Sequence, residues 1–230
     1  MAQTMQDFHL LIINDCSTDN SVAVIEDFFA KQPRQYEIIT LEKNGGISGN
    51  TNECLKLATG EFIGLFDQDD LLHPSALYEY VKAINEKNAD YIYCDETTFH
   101  DGDINKALTM HFKPDYAPDN LRANNYICHF SVFSRALLDG TELFRTKFDG
   151  SQDHDMILRL TDNAEHVVHV PKVLYYWRSH AGSVASGIDA KTYFLWLACA
   201  LVLCHPFTFQ EHFRFVVVLN YAFTLATLVV

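Results

Sequence analysis

The chain has 230 residues, 48% of them hydrophobic, with only 10 Gly and 6 Pro and a formal net charge of −13. That length suits one full α/β domain with a short appendage, and the apolar content argues for a packed body rather than disorder. The acidity disfavours nucleic acid, whose phosphates need clustered Lys and Arg, but leaves room for a phosphorylated small molecule if a cation bridges the like charges. The six cysteines (Cys16, Cys54, Cys94, Cys128, Cys199, Cys204) show no Cys-x-x-Cys spacing, so neither a zinc ribbon nor a thioredoxin-like pair is indicated. Met1–Asp7 is short and polar, unlike a signal peptide, and the reading that follows is a reducing, cytoplasmic location.

Along the chain, the apolar run His9–Ile13 reads as a buried strand that ends in the polar turn Asn14-Asp15-Cys16-Ser17-Thr18-Asp19. Ser21–Lys31 places Val22, Ile25, Phe28 and Phe29 at helical spacing. Tyr36–Leu41 returns as a strand, Asn44–Gly49 is a glycine-rich loop, and Thr51–Ala58 is a helix closed by Gly60. A second buried strand, Glu61–Phe66, runs into Asp67-Gln68-Asp69-Asp70. Pro74–Lys87 is a helix with Leu77, Tyr80, Val81 and Ile84 on one stripe, and Asp90–Cys94 is a short strand leading to Asp95-Glu96. Strand and helix alternate four times, which predicts a mostly parallel sheet with right-handed crossovers. Beyond residue 100, Phe130–Phe133 reads as a strand, Asp153–Leu160 as a short helix, and His166–Val170 and Lys172–Trp177 as two strands meeting at Pro171.

The acidic tip is the most informative segment. Open α/β sheets bind ligands beyond the carboxyl ends of their strands, where Asp67 and Asp69 stand two residues apart and can converge on one cation. Oxygen ligands of this kind suit Mg²⁺ or Mn²⁺. An acid here could also cap the helix that follows His73-Pro74, but capping needs one acid and three are present. Near the end of the chain, Thr192–Val230 carries only Glu211 and Arg214 as charged residues. Its two uncharged runs lie near or below the roughly 20 residues of a membrane-spanning helix. A membrane hairpin, a buried extension and a frame-shifted product all stay open for this tail.

Four features fall in order at strand ends or loops: Asp15–Asp19, Asn44–Gly49, Asp67–Asp70, and Gly150-Ser151-Gln152-Asp153-His154-Asp155. The set resembles the GT-A glycosyltransferases of family 2, over about residues 8–187. The resemblance implies a Rossmann-like α/β sheet flanked by helices, in residues 1–187, with 188–230 an apolar tail. It further implies transfer of a sugar from a nucleotide diphosphate sugar to an acceptor hydroxyl, with inversion. The acceptor would be a saccharide or a lipid-linked saccharide, in surface polysaccharide or glycoconjugate synthesis, with membrane association through the tail.

Carried over residue by residue, Asp69 and Asp67 become the metal ligands, with His180 a third, and Asp67 also a ribose contact. Asp15 would accept hydrogen bonds from the nucleobase, and Asn44, Gly45 and Gly46 would let the backbone approach the nucleotide, as residues without Cβ can. Asp153 becomes the base that takes the acceptor proton. Arg178, in Trp177-Arg178-Ser179-His180, would pair with phosphate oxygens. Each has an ordinary alternative: Asp15 a turn or helix cap, Asp153 and Asp155 first-turn acids favoured by the helix dipole, His180 a structural histidine. His129, Phe130 and Tyr126 fall in the acceptor region, where core packing is the commoner use of aromatics.

Only seven residues precede Phe8, so the resemblance implies that the first βα unit is missing and with it a central neighbour of the sheet. Two further readings remain, an inactive fragment or nucleotide-sugar binding module, and a nucleotidyltransferase. The last would normally place a basic residue in its glycine loop, and Gly45–Asn52 has none.

Overall fold

The computed structural model describes residues 3–31, 36–100, 103–104 and 106–179, and the backbone of a strand at 215–220. Among the described residues nine strands form one sheet: β1 (Phe8–Asn14), β2 (Tyr36–Thr40), β3 (Phe62–Asp67), β4 (Leu71–Leu72), β5 (Tyr91–His100), β6 (Ala107–His111), β7 (Val132–Ser134), β8 (Val167–Ser179) and β9 (Phe215–Asn220). The helices are α1 (Ser21–Lys31), α2 (Gly46–Leu57), α3 (Ala76–Lys87), α4 (Pro118–Ala123), α5 (Arg135–Asp139) and α6 (Gln152–Asn163).

The strand order is β2-β1-β9-β3-β7-β5-β8-β4, with β6 also on β5. β1 pairs in parallel with β2 and β9, β9 with β3, and β5 with β8, while β7 runs antiparallel between β3 and β5. The parallel sheet read from the sequence is thus interrupted by a short reversed strand.

Alternation along the buried strands sends side chains into a core on each face. Phe8, Leu10 and Ile12 of β1 join Phe62 and Phe66 of β3 under α3, whose Leu77, Tyr80 and Ile84 supply its buried stripe. Leu11 and Ile13 of β1 join Ile63 on the other face, under Cys54 and Leu55 of α2 and Met156, Ile157 and Leu160 of α6. Gly64 of β3 is required by packing, because a Cβ there would lie 2.7 Å from the Phe130 ring.

Several elements differ from the sequence reading. α2 begins at Gly46, so most of the glycine-rich loop is the first turn of a helix, entered through Gly46 at φ +67°. β5 continues through Asp95 and Glu96 to His100, because β8 on one side and β6 on the other pair with its second half. The two strands expected around Pro171 are a single strand, β8. Its register with β5 jumps from Val170–Cys94 to Val173–Asp95, leaving Pro171 and Lys172 exposed at a bulge where proline is tolerated.

The place between β1 and β3, where the sequence reading expected a missing neighbour, is held by β9. Phe8 to Ile12 align with Phe215 to Leu219 on one side, and Phe62 to Asp67 align with Phe215 to Asn220 on the other. The remainder of the tail, and His180, lie outside the described residues. Among the described residues no helix is long and apolar enough to cross a membrane.

A central strand donates and accepts along both edges, so a proline in it deletes a ladder hydrogen bond that water cannot replace. Val217→Pro is expected to lower unfolding free energy by about 2 kcal/mol or more, read from the urea midpoint. Loss of hydrogen-exchange protection in β1 and β3 should accompany it.

Candidate active site

The carboxyl ends of β1, β9 and β3 lie side by side, and the chain leaves β1 and β3 in opposite directions, toward β2 and toward β4. Ligands of open α/β sheets sit in the crevice such a reversal creates. Asp15 follows β1 and is 7% exposed. It does not cap α1, since that task falls to Asp19, whose Oδ1 accepts Ser21 N–H at 3.0 Å. Asp15 Oδ1 instead accepts Gly45 N–H at 2.8 Å, and its Oδ2 is buried with no hydrogen-bond partner among the described residues. Asn44 reaches the Asp15 carbonyl at 3.4 Å and accepts Gly46 N–H at 3.2 Å. Asp15, Asn44, Gly45 and Gly46 therefore form one corner, at the amino end of α2.

α2 is joined to the base of α6 by paired amide bonds. Asn52 Nδ2 donates to the Phe144 carbonyl and Phe144 N–H donates to Asn52 Oδ1, both at 2.8 Å. Ser48 Oγ also donates to Asp149 Oδ1. The chain then turns through Gly150 at φ +96° into α6, with Asp153 and Asp155 in the first turn. The two acids diverge in use. Asp155 is buried between Arg145 and Arg159, whereas Asp153 opens onto a cavity and accepts Asn125 Nδ2–H at 2.9 Å.

Asp67 stands on the same cavity, whose walls include Thr51, Cys128, His129, Ser131 and Asp153. The acids from the end of β3 and the start of α6 thus meet across 86 residues of sequence. Asp70 is consumed structurally. It is 4% exposed, its Oδ2 accepts the Tyr175 hydroxyl and its Oδ1 accepts Arg178 N–H at 2.7 Å. Burial, then the Asp67 charge, push Asp70 up to about 8 against those two bonds. Arg178 lies over the Phe99 ring and donates Nε–H to the Asp69 carbonyl at 2.6 Å, so it braces the acidic turn.

A second charged set lies behind the cavity, and its only signal in the sequence is the pair of acids Asp95-Glu96 after an apolar run. Lys113 and Glu96, with side chains 3% and 4% exposed, pair at 2.9 Å. Glu96 also accepts His129 N–H at 2.7 Å, and Lys113 donates to the carbonyls of Ile127 and His129. Burial alone would lower the His129 imidazole, but Glu96 and then Asp67 outweigh it and raise it to about 9. Asp67 is itself raised, first by the desolvating cleft and further by Asp69 and Asp153, with His129 opposing. Among the described residues, no three His, Cys, Asp or Glu form a ready-made metal cluster.

Glu96 gives a clear pH signature. Despite burial, its contacts with His129 and Lys113 hold it down to about 2, from 4.5. A depressed carboxylate stabilises the fold above its unfolded value and loses that contribution as pH falls through the folded one. The stability gap between wild type and Glu96→Gln is expected to be of order 3 kcal/mol at pH 6 and to close between pH 4.5 and 2, measured by urea unfolding across that range.

Comparison with known proteins agrees with this architecture. The family model described as Glycosyl transferase family 2 matches residues 1–140. The uncharacterized protein y4gI of Sinorhizobium fredii is 39% identical over 196 residues, covering 84% of this chain and 21% of that protein. The O-antigen biosynthesis protein RfbC of Myxococcus xanthus is 31% identical over 195 residues, covering 83% of this chain and 15% of that one. The chain therefore spans about a fifth or less of the length of these relatives. Among solved structures, S. aureus TarS 1–349 in complex with UDP-GlcNAc superposes with a TM-score of 0.67 at 22% identity, over 81% of this chain and 54% of that one, and so shows a shared GT-A fold. With its family model and its sheet in agreement, the chain belongs to glycosyl transferase family 2.

Proposed function

We propose that this domain, residues 1–187 together with strand β9, transfers a sugar from a nucleotide diphosphate sugar to an acceptor hydroxyl, with inversion, in synthesis of a surface polysaccharide or glycoconjugate. The observation that carries the reading is the meeting of Asp67 and Asp153 on one cavity beside the Asp15–Gly45 corner. The relatives are consistent with it, one being named for O-antigen biosynthesis and one neighbour being bound to UDP-GlcNAc.

In this reading the nucleobase lies against Asp15, whose unpartnered Oδ2 accepts a base N–H. The ribose and diphosphate follow past Asn44, Gly45 and Gly46 toward Asp67, with the amino end of α2 favouring the phosphate charge. Asp153, oriented by Asn125, takes the proton of the acceptor hydroxyl as that oxygen attacks the anomeric carbon. The bond from that carbon to the diphosphate oxygen breaks on the opposite face, and the nucleotide leaves as a diphosphate.

Asp69 and Asp67 offer hard oxygen ligands, and the crowding of Asp67 by Asp69 and Asp153 is the like-charge strain a cation relieves. The fit is to Mg²⁺ or Mn²⁺ held by one or two carboxylates together with substrate phosphates and water. His180 is assigned as a further ligand from the sequence motif. Bound there, the ion would supply charge neutralisation for the departing diphosphate. Arg178 keeps the turn carrying Asp69 in place and leaves its phosphate role to the motif. The nucleotidyltransferase reading gains no support, since the α2 turn that replaces the glycine loop has no basic residue before Lys56.

Two substitutions test the assignment. Asp69→Ala should abolish Mn²⁺-dependent binding of the nucleotide sugar, read by calorimetric titration with UDP-, GDP- and dTDP-sugars. Asp153→Asn should retain donor binding and lower turnover by about 10²-fold or more, the usual scale of general-base catalysis. Donor binding by Asp69→Ala equal to wild type in Mn²⁺ would remove the metal assignment. Intact binding without turnover in the wild-type chain would favour a nucleotide-sugar binding module.

A further inference from the structure

We propose that His129 is a positioning residue for Asp67, fixing the orientation of the carboxylate that the preceding section assigns to the donor; the inference rests on that assignment. Asp67 ends a strand, and its side chain is 43% exposed on the cavity. A short carboxylate in such a place exchanges among rotamers unless something holds it. The side chain placed to do so is His129, whose Nε2 lies 3.5 Å from Asp67 Oδ2.

The ring is packed against two aromatic neighbours, and the His129 main chain is bonded at both ends. It stacks on Tyr175 at 5.1 Å between centroids and 13° between planes, with Trp177 at 5.9 Å. Its backbone is fixed at both polar groups, N–H to Glu96 Oε2 at 2.7 Å and carbonyl to Lys113 Nζ at 2.6 Å. Lys113 is anchored in turn on Glu96 and on the Ile127 carbonyl at 3.0 Å. Tyr175, which carries the stacked ring, is the residue whose hydroxyl reaches Asp70. The same assembly therefore sets the ring and the turn that follows Asp67.

The Nδ1 atom faces Glu96 at 3.8 Å, beyond hydrogen-bond reach, and has no other partner among the described residues. The ring's outward polar contact is with Asp67. Holding a ligand-binding group by a locked neighbour is the general way a site gains precision, because less freedom is lost when the ligand arrives.

The test is a double-mutant cycle on the full chain, titrating UDP, GDP and dTDP in turn in the presence of Mn²⁺. His129→Phe keeps an aromatic ring against Tyr175 and removes the N–H, so it separates stacking from positioning. Nucleotide binding is expected to weaken about tenfold in His129→Phe and less than about threefold in His129→Gln, which retains an N–H donor. Asp67→Asn combined with His129→Phe should bind no more weakly than Asp67→Asn alone, since the second change then has nothing left to orient. Wild-type affinity in His129→Phe, or additive losses in the cycle, overturns the positioning role and leaves the transferase reading standing. A wild-type chain that binds none of the three nucleotides overturns both.

Discussion

The structure depends on a division of labour among the three acids after β3. Asp70 is buried and bonded to Tyr175 and to the Arg178 amide, which ties the turn to β8. With the turn fixed from behind, Asp67 stands on the cavity, and the Asp69 main chain is braced by Arg178. A buried carboxylic acid is costly unless its oxygens are satisfied. Here two directional bonds offset that cost, and they hold the acidic tip in place.

Charge around the cavity follows from that arrangement. Asp69 and Asp153 act on Asp67 as like charges, and the chain as a whole is strongly acidic. Compensation comes from within: the Glu96–Lys113 pair is nearly inaccessible, and His129 passes its influence to Asp67. Buried ion pairs are poor sources of net stability, because desolvation offsets attraction. Their use here is geometric, since Lys113 ties two carbonyls of a segment with no regular structure to the Glu96 carboxylate of β5. On the opposite wall the Arg145–Asp155–Arg159 cluster does similar work for α6, holding the first turn from which Asp153 projects.

The centre of the sheet is set by a different constraint. β1 and β3 are both apolar parallel strands, and each needs a partner along its inner edge. β9 satisfies both edges in continuous register and brings Asn220 level with Asp67. The crevice between the ends of β1 and β3 therefore has a floor supplied from a segment almost 150 residues further along the chain than β3. The shape of this crevice and the integrity of the central strand are linked, because the Asp15 corner and Asp67 hang from the two edges that β9 joins.

Local chemistry was enough to read much of this. Apolar runs closed by acids located β1 and β3, helical spacing gave α1 to the residue, and α3 within two residues, and the motif order pointed to the GT-A architecture that the fold shares with TarS. These features are encoded by neighbours in sequence, through alternation, periodicity and turn-forming residues. What escaped the sequence depends on contacts between distant segments. β5 extends past Cys94 because β6 and β8 pair with it, Pro171 lies within a strand because a bulge absorbs it, and the glycine-rich segment enters a helix because Ser48 and Asn52 dock on the chain before α6. The sequence by itself determined which residue types stand at the strand ends, and hence the family. Only tertiary structure decided that Asp70 serves the core while Asp67 and Asp153 share a cavity, that His129 faces Asp67, and that β9 takes the central place. Burial, charge pairing and strand register are properties of the assembled chain, set by which distant groups exclude water together.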